Sequence, residues 1–173
     1  MTVQQYQAQL AKHQQAPLEY SDDPSLKLQE SGLRKTVVAT LSLSLSQVRQ
    51  SSAVAADYLF LAACVERKDI LLDLLEAASP QAREDAIKVL DRYALITRRP
   101  AESALDLHCL IHDALQKRLQ AQGRFRQWTE RAITQLLKEF PGNDHSKRSK
   151  WRRLLPHVQC ALSHNCTDDD NRK

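Results

Sequence analysis

The chain has 173 residues, a formal net charge of +4, 42% hydrophobic residues and only 5% aromatic ones. Leu and Ala dominate, and that mix favours one helical core, or two small packed subdomains, over a sandwich or barrel, which needs repeated turn residues. The three glycines, Gly32, Gly123 and Gly142, stand far apart, which excludes the P-loop and the dinucleotide fingerprint and with them self-contained nucleotide hydrolysis.

Residues 1–12 lack a basic start followed by an apolar run, so they are not a secretory signal. Val3, Tyr6 and Leu10 have helical spacing and predict a short helix over 2–12. The polar stretch 13–33, with Pro17, Pro24 and Gly32, reads as a linker. Residues 36–50 fit two periods: Leu41, Leu43 and Leu45 alternate as in a strand, whereas Val37, Leu41, Leu45 and Val48 share a helical face. The helix is the expectation adopted. Ser51 or Ser52 can cap a helix running to about Cys64 that is apolar on nearly every side and so central to the core. Its apolar run over 54–65, interrupted by Asp57, is too short to cross a bilayer.

Asp69 is placed to cap a second helix over 70–77, built on Ile70, Leu71, Leu74 and Leu75. Ser79-Pro80 starts a third: the hydroxyl accepts an orphan amide, and proline has no donor to lose at the first position. Ile87, Leu90 and Ala94 are its expected buried stripe, with Glu84 and Asp85 near the positive end of its dipole. Two short strands, about 94–98 and 103–107, flank a polar turn. Three helices and then a hairpin is the winged-helix order. A fourth helix follows from His108 to about Gln122, with Leu110, Ile111, Ala114, Leu115 and Leu119 inward and Gly123 at its end.

The next helix keeps a regular period through Phe125, Trp128, Ala132, Ile133, Leu136, Leu137 and Phe140, and Pro141-Gly142-Asn143 stops it. Trp151, Leu154, Leu155, Val158 and Leu162 then predict one more amphipathic helix, with Pro156 as a kink or a late start. The basic run Lys147, Arg148, Lys150, Arg152 and Arg153 reads as the solvated start of that helix. Four units are expected: an N-terminal helix and linker (1–35), a winged-helix domain (36–122), a helical extension (123–164) and a disordered tail (165–173).

Few residues carry chemistry. The four cysteines, Cys64, Cys109, Cys160 and Cys166, show no paired spacing, and Cys64 reads as a reduced, buried thiol in a cytoplasmic setting. His108 and His112 have the i, i+4 spacing of a helical metal pair. The zincin pattern, however, wants a glutamate after the first histidine, where Cys109 stands, and no Cys/His pair elsewhere completes a ligand set; no metal site is assigned. His108 has a second reading. It falls where strand gives way to helix, where unpaired amides and one imidazole would face an anion such as a phosphate; the alternative is a helix-start histidine bonded to a neighbouring carbonyl. No Ser or Cys has a nucleophile-elbow context, Asp57, Asp106 and Asp113 are isolated, and Trp128 and Trp151 lie on apolar helix faces suited to the core.

The run from Ala55 to Cys64, then Arg67-Lys68-Asp69-Ile70, Leu74-Leu75, Ala86-Ile87, Leu90 and Tyr93-Ala94-Leu95-Ile96-Thr97 resembles a known family. So do Leu107-His108, Leu110-Ile111-His112, Trp128 and Leu155-Pro156-His157. The chain is similar, over roughly 36–163, to the region after the nucleotide-binding core in fungal NB-ARC proteins with tetratricopeptide repeats. Those proteins, often labelled kinesin light chain-like, are NLR-like signal-transduction ATPases of the STAND class. The resemblance implies a winged-helix domain followed by helices leading into the repeats. Leu107-His108 matches the family's Met-His motif, whose histidine contacts the β-phosphate of bound ADP. It thus implies His108 as an ADP contact once a nucleotide-binding domain is present, with no cofactor in the isolated chain and ADP or ATP in a full-length context. Cys109 departs from the acid or base common at that place, and the P-loop, the metal-binding acidic strand and an extended repeat array are absent, as expected of an excised middle piece.

The leading expectation is a noncatalytic regulatory module whose partners are a nucleotide-binding domain, tetratricopeptide-type repeats and other proteins, with no membrane. Two alternatives stand beside it. One is a winged-helix nucleic-acid binder, weakened because Arg83, Lys88 and Arg92 on the recognition-helix candidate are offset by Glu84, Asp85 and Asp91. The other is a helical protein–protein scaffold using 125–162, which would show an exposed apolar groove.

Overall fold

A computed structural model describes the backbone of residues 27–140 and 148–170, and the side chains of 39–140 and 148–164. Its α-helices are α1 (Lys27–Ser51), α2 (Ala53–Ala62), α3 (Pro80–Arg92), α4 (Cys109–Ala121), α5 (Phe125–Glu139) and α6 (Arg148–Asp170). Three short strands, β1 (Ile70–Leu71), β2 (Ile96–Arg99) and β3 (Ala104–Leu107), form an antiparallel sheet in the order β1-β3-β2. The chain is therefore mainly helical with a small sheet. The expected helix over 2–12, the linker up to residue 26 and the stop at 141–143 lie outside the described residues.

α1 starts at Lys27, inside the stretch read as linker, and runs through Gly32. The helix reading of 36–50 holds: Leu41, Leu45 and Val48 anchor it in the core, and a helix so anchored extends at the low cost of propagation. Ser52 caps α2 by accepting the Ala55 N–H at 3.1 Å. α2 lies at the centre, touching α1, α3, α4 and α5, and only Val54 and Asp57 of the stretch Val54–Ala62 escape full burial.

The helix expected over 70–77 does not form. Ile70 pairs with Leu105 and Leu71 with Ala104, and a 3-10 turn follows at Leu72–Leu74. Ile70, Leu71, Leu74 and Leu75 are buried as a helical stripe would be. The free edge of β3 offers backbone partners that a one-face helix would leave unmet, so pairing wins.

α3 has the expected start: Ser79 Oγ accepts the Ala82 N–H at 3.1 Å and Pro80 takes the first position. Its end differs from expectation. Ala94 adopts φ +52 and is exposed, while Leu95 is buried and donates its N–H to Leu90 O at 3.2 Å. This is the closure that follows a left-handed residue after a helix. β2 and β3 pair from Ile96↔Leu107 to Arg99↔Ala104 around the turn that ends at Ser103 (φ +50). Gly123, at φ +63, ends α4 as expected, with Arg124 N–H on Leu119 O at 2.9 Å.

In three helices part of the sequence-derived face turns outward while the rest packs on the core. α4 buries His112, Leu115 and Leu119, leaving Leu110 46% exposed. α5 buries Trp128, Ala132 and Leu136 but turns Leu137 outward, 71% exposed. α6 buries Leu154, His157 and Ala161, and leaves Trp151, Leu155 and Leu162 on the surface. It runs through Pro156 without a break and reaches Asp170, into the stretch expected to be a disordered tail. Polar anchors from α6 to Asp69, just before β1, set its rotation.

Candidate functional site

β3 ends at Leu107, whose N–H donates to Arg67 O at 2.7 Å. The next residue, His108, keeps an extended backbone (φ −67, ψ 141) and is the N-cap of α4. Its carbonyl accepts the N–H groups of Ile111 and His112, each at 3.0 Å. Its Nδ1 accepts the Leu110 N–H at 3.3 Å. With Nδ1 an acceptor, the neutral ring carries its proton on Nε2. The ring is exposed, so the corner presents an imidazole N–H at the surface.

The local expectation is corrected in one respect. Amides and imidazole do not point outward together, because the ring itself takes up the Leu110 amide. Nor do His108 and His112 share a helix face. His108 lies before the helix, whereas His112 is buried with Nε2 3.0 Å from Val65 O. Among the described residues no group of three or more His, Cys, Asp or Glu is arranged to hold a metal ion.

The basic run at the start of α6 is only partly solvated. Lys150 Nζ lies 3.0 Å from Asp73 and 2.8 Å from Glu139. Arg153 grips Asp69 with two prongs, Nε to Oδ2 at 2.8 Å and Nη2 to Oδ1 at 2.6 Å. That grip holds the Asp69 carboxyl below its ordinary range and raises the Arg153 guanidinium. Asp69 is no helix cap. It takes φ +57, donates its N–H to Asp106 Oδ1 at 2.7 Å, and its carbonyl accepts from His157 Nε2 at 3.0 Å. His157 is 1% exposed, and burial pushes its imidazole below the ordinary value. Its Nδ1 is buried with no hydrogen-bond partner among the described residues. Sequence reading missed this trio as a unit; αL-tolerant Asp69 before a β-branched residue was the one local hint.

Arg83 and Lys88 on α3 and Arg98 and Arg99 on the hairpin are matched inside the chain. Arg83 donates to Leu72 O at 2.8 Å, Arg98 lies 2.8 Å from Glu84, and Lys88 lies 3.6 Å from Asp85. Arg99 is shared among Asp69, Glu102 and Asp106 at 3.5–3.8 Å. A phosphate-tracking surface needs uncompensated charge, which these pairs remove. Trp128 is in the core as expected, whereas Trp151 is 37% exposed and packs on Phe140 at 5.4 Å. A notch of about 80 Å³ between α2 and α5, lined in part by Asp57, Trp128 and Arg131, is well below nucleotide size.

Cys64 is fully buried, its Sγ donating to Phe60 O at 3.4 Å, and burial pushes its thiol up to about 12. Cys109 is exposed. At pH 8 only about one Cys64 in ten thousand is a thiolate. Peptide mapping after brief iodoacetamide treatment is expected to find label on Cys109 and none on Cys64 until denaturant is added.

Among the described residues no helix is long and apolar enough to cross a membrane. No family model matches the chain, and no solved structure matches it. A nucleotide-binding leucine-rich repeat (NLR)-like protein of Hyaloscypha variabilis is 29% identical over 137 residues, covering 79% of this chain. The chain spans 14% of that relative's length.

Proposed function

We propose that this chain is a noncatalytic regulatory module of an NLR-like signal-transduction NTPase. In this reading residues 36–122 are a winged-helix domain, with β2–β3 as its wing. The module packs on a nucleotide-binding domain, its α5–α6 extension leads toward helical repeats of the tetratricopeptide type, and it works in the cytoplasm. His108 senses bound ADP, donating from Nε2 to a phosphate oxygen. The observation that carries the reading is the placement of His108: an exposed imidazole, oriented through Nδ1 by the first turn of α4, directly after the last strand. The similarity to an NLR-like protein supports the same assignment. Charge pairing on α3 and the hairpin argues against the nucleic-acid alternative.

The test uses ADP retention. The isolated chain is expected to bind ADP weakly or not at all and to hydrolyse no nucleotide. With a nucleotide-binding domain supplied in cis, His108→Ala is expected to speed ADP release roughly ten- to a hundredfold, as loss of a hydrogen bond to a charged group implies. Unchanged retention in that variant, or turnover by the isolated chain, overturns the proposal.

A further inference from the structure

Asp69 spends every polar group it has on joining two distant parts of the chain. Its N–H donates to Asp106, two residues before His108. Its carbonyl accepts from His157, and its carboxylate takes both prongs of Arg153, so α6 holds it from the other side. The left-handed backbone (φ +57) lets the amide face β3 while the carbonyl faces α6. Two further contacts widen the joint. Arg153 Nη2 also donates to Glu102 O at 2.9 Å, at the hairpin turn, and Leu107 N–H holds Arg67 O at 2.7 Å, on the far side of Asp69.

The geometry points to Asp69 as a positioning residue that couples the docking of α6 to the β3–α4 corner carrying His108. If α6 shifts, Arg153 and His157 release the carboxylate and carbonyl of Asp69 together. Arg99, 3.7 Å from its carboxylate, then holds Asp69 less firmly than Arg153 did, so the residue can leave a backbone conformation that non-glycine residues rarely adopt, and its N–H leaves Asp106. A change at the corner reaches α6 by the same path in reverse, because coupling between sites is reciprocal. The regulatory use of this joint rests on the reading of His108 given above; the joint itself can be measured without nucleotide.

The experiment is amide hydrogen exchange by NMR on the 173-residue chain. Arg153→Met is expected to speed exchange at Asp69 and Leu107, as well as at α6 amides such as Ala161, by about tenfold or more, with Leu59 in α2 unchanged. Asp106→Ala, which lies outside α6, is expected to speed exchange at Ala161 in return. The proposal is overturned if each variant loosens only its own side. Should Arg153→Met fail to fold, Arg153→Lys keeps the charge without the second prong, and the same paired response is expected at smaller amplitude. If His108→Ala leaves ADP retention unchanged while these paired responses hold, the nucleotide reading fails and the coupling stands.

Discussion

Trp128→Ala is expected to lower stability by about 3–5 kcal/mol, the upper range for truncating a core side chain. The indole is 4% exposed and packs on Phe60 with ring centroids 5.4 Å apart. Arg131 lies 5.0 Å over it and Arg124 5.9 Å, and each such contact adds of order 0.5–1 kcal/mol at a partly exposed site. In a chain of this size the loss corresponds to a fall in Tm of about 10 °C. Trp128→Phe sharpens the expectation. The indole N–H is buried with no hydrogen-bond partner among the described residues, so phenylalanine loses volume but no hydrogen bond. It should cost about 1–2 kcal/mol. Calorimetry on both variants checks this; equal losses would mean that the indole N–H matters after all.

Mild acid is expected to destabilise the seat of α6, with His157 as the responsible group. Its folded-state pKa is depressed, chiefly by burial. The unfolded chain, titrating near the ordinary value of about 6.5, therefore binds a proton more readily. The stability this contributes is complete above about pH 6.5 and falls as pH drops through the lower folded-state value. Asp69 has the same sign in a lower window: its depressed pKa contributes stability above the ordinary carboxylate range, lost as pH falls below it. Between pH 7.5 and pH 5 the urea midpoint should drop, and His157→Gln should flatten that drop. A wild-type midpoint constant across this interval would show that His157 is not buried neutral. The groups facing it are the backbone of Asp69 and of Glu66 and the charges of both side chains. Their attraction for a protonated ring is outweighed by its desolvation.

Much of the helical scaffold was legible in the sequence. Ser52 and Ser79 as caps, Pro80 at a first helical position and Gly123 past a helix end are all realised. Each depends on atoms within a few residues along the chain, which is why local chemistry predicts it. The apolar run of α2 and the period of α5 were equally readable, since a core-facing helix must show its face in sequence. His108 was also found as a strand-to-helix junction, although its ring closes on the Leu110 amide instead of leaving that amide free.

What the sequence by itself determined, then, is where most helices start and stop, and that no Gly-rich phosphate loop can form. Tertiary structure decided three further things. β1 became a strand because β3 offered it an open edge; Ile70 to Leu75 satisfy a helical stripe just as well. α6 turned Leu155 and Leu162 to the surface because Arg153 and His157 bind Asp69. Asp69 itself became a joint between the His108 corner and α6, although its partners stand 84 and 88 residues away in the chain. Periodicity and capping record interactions between sequence neighbours. A contact across that distance leaves no periodic trace, because it exists only after the core has brought the two segments together.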